Sequence, residues 1–203
     1  NLREIKFSRT GIKLWKEAEK IIPGGNGLLS KRPQRYLPEH WPTYYKKSKN
    51  FFIWDLNGNK YIDMAQMGVG TCVLGYSNNF INNKIINSIK NGNNSTLNSV
   101  EEVLLAKKLL RIDKFADQVK FARGGGEAID MAIRLARASS GKDRILFSGY
   151  HGWYDWYLAT NLSNKDGLSE HLLPGLNPIG VPKKLKNTVK PIRYDDFESL
   201  DKI

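Results

Sequence analysis

Three consecutive glycines, Gly124–Gly126, are the first residues in this sequence whose type and spacing could do chemistry. Without side chains they let the backbone approach a ligand closely. The helical pattern after them would direct free N–H groups and a positive dipole end at that ligand, which suits a phosphate. Standing alone, the glycines favour a plain tight turn. Neither the dinucleotide G-x-G-x-x-G motif nor the Lys-Ser/Thr pair of a P-loop accompanies them.

A second segment of chemical interest holds Tyr150 and His151 between two glycines. The ring of Tyr150 could stack on a planar heteroaromatic cofactor. The imidazole of His151 could donate a hydrogen bond or exchange a proton. The alternative is a purely structural aromatic cluster that seals the core beneath a loop, with Trp153, Trp156 and Tyr157.

The elements around both segments predict one βαβ unit. Its parts are a strand at Val119–Ala122, the glycine turn, a helix at Glu127–Ser139 and a strand at Arg144–Phe147. This order implies a mostly parallel sheet in an α/β fold. Because a right-handed crossover brings the carboxyl ends of parallel strands to one edge, we expect the glycine turn and Tyr150 to meet there.

Upstream, the apolar pattern changes from helical to extended. A helix is predicted over Gly11–Ile22, ended by Pro23-Gly24-Gly25. A hairpin is predicted from the strands Asn50–Asp55 and Lys60–Asp63, with its turn at Asn57-Gly58.

Two further helices are predicted at Phe80–Ile89 and Val100–Leu110, the second with Ser99 at its start. The loop between them, Asn91–Asn98, is polar and is expected to lie outside the core. Towards the end of the sequence the pattern predicts a strand near Val189–Tyr194.

The composition is that of a globular protein, with 40% hydrophobic and 11% aromatic residues among 203. The formal charge of +12 could attract nucleic acid, but the lysines are scattered along the chain, so we expect no nucleic-acid partner. No apolar run approaches the roughly 20 residues that cross a bilayer, so no membrane contact is expected. The single cysteine, Cys72, cannot form an internal disulfide, and we expect a cytoplasmic protein.

In order and spacing, residues 119–153 resemble the phosphate loop, helix and Tyr-His-Gly signature of the class III aminotransferases, with the glutamate-1-semialdehyde aminomutases as the nearest branch. Residues 22–25 and 54–63 are also similar to family segments, so the resemblance covers most of the chain to about Tyr154. It implies the fold of the pyridoxal-phosphate-dependent transferases of the aspartate aminotransferase type. It also implies two domains: an N-terminal helix and hairpin segment, residues 1–63, and an incomplete large cofactor-binding domain, residues 64–203.

The resemblance implies a cofactor, pyridoxal 5'-phosphate, and residues that hold it. Backbone N–H groups of Gly125 and Gly126, with Gly124 beside them, would bind the phosphate. Tyr150 would stack on the pyridine ring. His151 would lie beside that ring or would only shape the loop.

In this family a lysine holds the cofactor as an imine, and an aspartate keeps the pyridinium nitrogen protonated. Both are expected beyond Ile203, in a longer protein of which this chain is the N-terminal portion. The catalytic residues are therefore unknown, and the fragment alone is expected to be inactive.

Departures from the family pattern bear on the predicted site. The family usually has Ser-Gly-Thr where this chain has Gly124-Gly125-Gly126, so amides would bind the phosphate without two hydroxyls. The segment Met64–Gly70 lacks the tryptophan of the aminomutase branch, so the substrate pocket is expected to differ. Arg32 and Arg35 are the candidates for an arginine that would bind a substrate carboxylate.

The resemblance leads to three hypotheses for function. The first is a transaminase that moves an amino group between an amino donor and a carbonyl acceptor. The second is an aminomutase that transfers the amino group within one amino aldehyde. The third is a non-catalytic module that keeps the fold, because the glycine loop is so bare. A homodimer with its active site at the subunit interface is also implied, and the loop Asn91–Asn98 could reach the partner's cofactor.

Overall fold

The computed structural model describes residues 9–164, 167–168 and 176–201. The chain falls into two units, Asn1–Asn98 and Ser99–Ile203. The first unit contains an antiparallel sheet and the second a parallel one. The sequence-based division between residues 63 and 64 stays a prediction.

The first unit begins with helix α1, Arg9–Ile21, which confirms the predicted N-terminal helix. Its apolar stripe buries Trp15 and Ala18. Beyond its end, Gly24 and Gly25 have positive φ values of 72° and 77°, a backbone region that favours glycine. A Cβ at Gly25 would lie 2.7 Å from Cζ2 of Trp15, so this indole packs there only because the residue is glycine.

Three antiparallel strands follow in the order β1-β2-β3: β1 (Tyr45–Lys49), β2 (Phe52–Asp55) and β3 (Lys60–Ile62). The β2–β3 pair is the predicted hairpin, with Ile53 opposite Tyr61. Gly58 in its turn has a φ of 84°. Strand β1 was not predicted as a separate strand, because its YKKSK sequence shows no alternation of apolar and polar residues.

Helices α2 (Asn79–Lys90) and α3 (Val100–Ile112) confirm the two predicted helices, α2 in the first unit and α3 in the second. The Asn78 side chain caps α2 by accepting two backbone N–H groups, and the Ser99 side chain caps α3 by accepting one. Neither helix buries a residue. The loop between them, residues 91–98, is exposed throughout.

The second unit is built around the parallel strands β4 (Ile145–Phe147) and β5 (Val189–Pro191), which confirm the predicted parallel sheet and the two strands predicted at these positions. The pairing of β4 with β5 was not predicted, because β4 was expected to form a βαβ unit with Val119–Ala122. Among the described residues, four α-helices follow α3: α4 (Gly125–Ser140), α5 (Asp155–Leu158), α6 (Thr160–Ser163) and α7 (Phe197–Asp201). The buried core of the second unit consists of Ile133, Phe147, Trp156, Tyr157, Leu158, Ala159, Leu168, Val181 and Val189. No helix in the described ranges has the length and apolar character needed to span a membrane.

The predicted strand at Val119–Ala122 was wrong, because these residues are irregular. A strand needs a neighbour for its ladder hydrogen bonds, and no described residue pairs with this segment, whereas β4 pairs with β5. The glycine turn also differs from its prediction. Helix α4 begins at Gly125, so Gly125 and Gly126 form its first turn rather than a loop before it.

Candidate functional site

The candidate site begins with the backbone N–H groups at the amino end of α4. Within the described residues no hydrogen-bond acceptor faces the N–H groups of Gly125 and Gly126. The preceding residue, Gly124, is extended, with φ −150° and ψ 157°. A Cβ added at Gly124 or Gly125 would meet no atom within 4 Å. Free donors, open space and the positive end of a 16-residue helix therefore coincide here, which suits an anion.

Glu127 fixes the shape of this turn. Its Oε2 accepts the backbone N–H of Arg123 at 2.9 Å. A glutamate near a helix start that bonds backwards in this way is a variant of the capping box, and its charge suits the positive end of the helix. The predicted position of Glu127 at the start of the helix is thus confirmed, with a contact that the sequence did not specify.

The segment after β4 packs against the last glycine of the turn. Gly152 has a φ of 103°, and a Cβ there would lie 3.0 Å from the Cα atom of Gly126. A Cβ at Gly126 would in turn lie 3.0 Å from Cδ2 of Tyr154. The structure therefore brings the glycine turn and the segment 149–154 together.

Sequence reasoning missed Tyr154, the aromatic residue that lies on the turn. Its only signal in the sequence is its position two residues after Gly152. Neighbouring aromatic residues such as Trp153 and Trp156 were equally suited to that position, and only coordinates could distinguish them.

Tyr150 retains an accessible ring. Its side chain is 45% exposed, and its ring meets that of Tyr157 edge-on, with centroids 5.6 Å apart and planes at 87°. Burial, together with the nearby Tyr150 hydroxyl, raises the pKa of Tyr157 above its usual value, so Tyr157 stays neutral. Tyr150 thus rests on a buried neutral ring and keeps surface free for a ligand.

His151 is tied to the end of β4. Its Nε2 lies 2.7 Å from the carbonyl oxygen of Ser148, and because a carbonyl only accepts, Nε2 must carry the proton. Its ring is also edge-on to Phe147, with centroids 6.2 Å apart. These contacts support a loop-shaping role for His151 and leave a role beside a cofactor as a prediction.

The alternative interpretation, in which Trp153, Trp156 and Tyr157 only seal the core, holds for two of these three residues. Trp156 and Tyr157 are buried, and their rings lie 5.7 Å and 5.3 Å from that of Phe147. Trp153 is 70% exposed. The aromatic cluster therefore forms a floor beneath the loop, while the loop itself remains accessible.

The two candidate substrate arginines lie in the first unit. The guanidinium of Arg32 packs against Gly24, where an added Cβ would lie 2.8 Å from its Cζ. The Arg32 Nε is buried and has no partner within the described residues. Arg35 is exposed at the end of a short 3-10 turn, Pro33–Arg35. Surrounding atoms therefore restrain Arg32 more than Arg35.

The second unit offers what a phosphorylated aromatic ligand needs. Open space and free amide donors at Gly124–Gly126 can take a phosphate, and the exposed ring of Tyr150 can take an aromatic ring. These residues fit pyridoxal 5'-phosphate. In the part of the chain with described coordinates, no group of three His, Cys, Asp or Glu side chains could hold a metal ion.

Comparison with known proteins gives a consistent result. The family model for aminotransferase class-III matches residues 36–196. The chain is 37% identical over 204 residues to a glutamate-1-semialdehyde 2,1-aminomutase of Wigglesworthia glossinidia brevipalpis, covering 98% of this chain and 45% of that protein. It is 30% identical over 201 residues to a 3-aminobutyryl-CoA aminotransferase of Cloacimonas acidaminovorans, covering 98% of this chain and 44% of that protein.

Solved structures share the same architecture. An omega-transaminase from Sphaerobacter thermophilus superposes with a TM-score of 0.78 at 24% identity, over 98% of this chain and 44% of that one. The FumI protein of Sphingopyxis sp. MTA144, solved as its pyridoxal-phosphate internal aldimine form, gives a TM-score of 0.77 at 27% identity, over 96% of this chain and 43% of that one. The chain thus spans less than half the length of these relatives.

Proposed function

The chain belongs to the class-III aminotransferase family and has the predicted fold of the pyridoxal-phosphate-dependent transferases, and on this basis we propose that the whole protein binds pyridoxal 5'-phosphate and transfers an amino group from an amino donor to a carbonyl acceptor. The observation that carries the proposal is the amino end of α4, where free N–H groups face open space beside the segment 149–154. When bound, the cofactor supplies an electron sink that amino-acid side chains lack.

Each residue of the candidate site has a proposed task. The N–H groups of Gly125 and Gly126 bind the phosphate, and Gly124 keeps the approach open. Tyr150 stacks on the pyridine ring, and its orientation is set by its contact with the buried ring beneath it. His151 holds the loop at the end of β4 through its bond to the backbone.

Other residues of the reaction are proposed to lie in the part of the family that this chain does not match. The match covers less than half the length of the relatives. We place the cofactor lysine and the pyridinium aspartate in that remaining part. Arg32, which surrounding atoms restrain, is the preferred candidate for binding a substrate carboxylate.

A second candidate function is an aminomutase reaction within one substrate. It is favoured by the 37% identity to the Wigglesworthia glutamate-1-semialdehyde 2,1-aminomutase. The absence of tryptophan from Met64–Gly70 favours the transaminase. Analysis of products from the whole protein separates the two, because a transaminase releases a keto product from its donor and a mutase returns an isomer of its substrate.

Binding of pyridoxamine 5'-phosphate to the full chain tests the proposed cofactor site. This form of the cofactor has no aldehyde, so it cannot react with the lysine side chains of the protein. The test variant is Gly124→Asp, because an aspartate at this position can cap α4 and preserve the helix. Its carboxylate would take the same N–H groups and repel the phosphate, so we expect affinity to fall at least about tenfold.

Gly27→Asp is the matched control. Gly27 is another glycine with no atom within 4 Å of an added Cβ, but it lies in the first unit and does not cap an α-helix. Calorimetry should show unchanged affinity for this variant, and circular dichroism should show that both variants fold. Equal affinity for wild type and Gly124→Asp would contradict the proposed phosphate site. No binding by wild type would favour the non-catalytic module.

We also propose that the protein works as a homodimer. Large apolar side chains on α2 and α3 are exposed, including Phe80, Ile85 and Leu104. Surface of this kind marks contact with further polypeptide. Sedimentation of the whole protein tests whether a second copy covers it.

A further inference from the structure

Tyr154 lies directly on the first turn of α4. A Cβ added at Gly126 would lie 3.0 Å from its Cδ2 and 3.3 Å from its Cζ, and closer still to Cε2. Real Cβ atoms do not approach other atoms this closely. The Tyr154 ring therefore occupies the place that a side chain at residue 126 would take.

Gly152 completes this fit from the other side. A Cβ there would lie 3.0 Å from Cα of Gly126 and 3.4 Å from Cδ2 of Tyr154. Its φ of 103° is also a value that favours glycine. Gly126 and Gly152, which lie on different segments, thus leave the space that the Tyr154 ring fills. A larger side chain at either glycine would displace this ring.

The backbone of Tyr154 is held by the core. Its carbonyl accepts the N–H groups of Tyr157 and Leu158, each at 3.0 Å, and both of these residues are buried. The side chain is 41% exposed, and within the described residues its hydroxyl has no hydrogen-bond partner. The backbone of Tyr154 is therefore fixed, and the ring carbon that bears its hydroxyl, Cζ, lies beside the first turn of α4.

We propose that Tyr154 is a phosphate-binding residue: its ring replaces the side chain missing at Gly126, and its hydroxyl donates a hydrogen bond to the cofactor phosphate. This inference rests on the proposed function. It also accounts for the absence of hydroxyl groups from the turn Gly124–Gly126, because a tyrosine from the neighbouring segment supplies one.

Tyr154→Phe in the full chain tests the hydroxyl while keeping the ring. We expect the affinity for pyridoxamine 5'-phosphate to fall roughly tenfold, as for a lost hydrogen bond to a charged group. Affinity for pyridoxamine, which lacks the phosphate, should stay the same. Tyr194→Phe, a 92% exposed tyrosine in the same unit, is the control and should bind both ligands like wild type.

A second pair of variants tests the steric link. Gly126→Thr should weaken binding of pyridoxamine 5'-phosphate, because its side chain would collide with the ring of Tyr154. Adding Tyr154→Ala should recover most of the lost affinity, because the double variant has the space and its own hydroxyl. Circular dichroism and thermal melting of each variant show whether it is folded.

The outcomes distinguish this inference from the proposed function. If wild type binds pyridoxamine 5'-phosphate and Tyr154→Phe binds it equally well, the phosphate role of Tyr154 is overturned and the cofactor site stands. Equal weakening towards both ligands would assign Tyr154 to the aromatic ring rather than the phosphate, which also overturns it. Failure of wild type to bind overturns both.

Discussion

The two sheets of this protein bury opposite kinds of side chain. In β1–β3 the one buried residue of the strands is a carboxylate, Asp55, which is 1% exposed. In β4–β5 the buried residues are Phe147 and Val189, which belong to an apolar cluster. One sheet is therefore organised around hydrogen bonds and the other around packing volume.

Hydrogen bonds to Asp55 hold the hairpin together. Its Oδ1 accepts the backbone N–H groups of Asn57 and Asn59, each at 2.9 Å. Its Oδ2 accepts the Asn59 amide at 2.9 Å and the Tyr61 hydroxyl at 3.0 Å. Because Asp55 is buried, an unsatisfied group in its hydrogen-bond network would cost more free energy than the same group at the surface. Burial of Tyr61 and its hydrogen bond to Asp55 raise the pKa of the Tyr61 hydroxyl to about 12.

Because of this difference, we expect different changes to lower the stability of each sheet. The first should weaken when Asp55 is lost, which leaves its donors without an acceptor, or is protonated, which replaces a charged acceptor by a weaker neutral one. The second should fail when volume is removed, because close-packed rings cannot refill a cavity. Four predictions test this contrast.

The largest effect is expected at Tyr157. Its side chain is fully buried and its ring packs 5.3 Å from that of Phe147 and 5.6 Å from that of Trp156. Tyr157→Ala should lower the free energy of unfolding by about 3–5 kcal/mol. Urea denaturation followed by circular dichroism measures this.

Tyr157→Phe is the matched control, because it removes only the hydroxyl. That hydroxyl is buried and has no partner within the described residues, so its loss should change stability by less than about 1 kcal/mol. A large loss in the phenylalanine variant would mean that the second sheet also depends on a buried hydrogen bond, and the contrast would break.

Asp55→Ala should have the next largest effect. Four hydrogen bonds lose their acceptor, and we expect a loss of about 2–3 kcal/mol, concentrated in the first sheet. Amide hydrogen exchange would show loss of protection in β2 and β3 and unchanged protection in β4. Asp195→Ala, an exposed aspartate, should stay within about 0.5 kcal/mol of wild type. Equal loss of protection in both sheets would contradict the separation.

The elements that could be predicted from the sequence are those determined by residues next to each other in the chain. Helix α3 is an example, because its apolar residues lie within it and its cap, Ser99, directly precedes it. The segment Val119–Ala122 has the residues of a strand, but pairing depends on a neighbour elsewhere in the chain, so its prediction was wrong. Tyr154 belongs to the same class: its position on Gly126 depends on a tertiary contact that spacing does not encode.

The third prediction concerns acid. Burial alone would raise the pKa of the Asp55 carboxyl, but hydrogen bonds from Asn59, Tyr61 and Asn57 outweigh burial and hold that pKa below its usual value. A carboxyl with a lower pKa in the folded state contributes stability above its unfolded pKa, near about 4. That contribution is lost as pH falls through the folded pKa, so acid should weaken the first sheet first.

Nuclear magnetic resonance of labelled protein can follow both sheets during acidification. Amide signals of Ile53 and Tyr61 should shift or broaden as pH falls below about 4, while that of Leu146 in β4 should not follow them. Asp55→Asn, which cannot ionise, should abolish this difference. A response of the same size in the asparagine variant would assign the acid sensitivity to another group.

The smallest effect is expected at Leu105 in α3, and it isolates burial from residue type. Leu105 is 50% exposed, whereas Leu158 in the apolar cluster is 5% exposed. Leu158→Ala should cost about 2–5 kcal/mol. Leu105→Ala should cost less than about 1 kcal/mol in the isolated chain, since alanine favours the helix and little area is uncovered. Urea denaturation of both variants measures the difference. If Leu105→Ala were as costly as Leu158→Ala, α3 would already be packed against other parts of the protein, and its apolar side chains would need no partner to cover them.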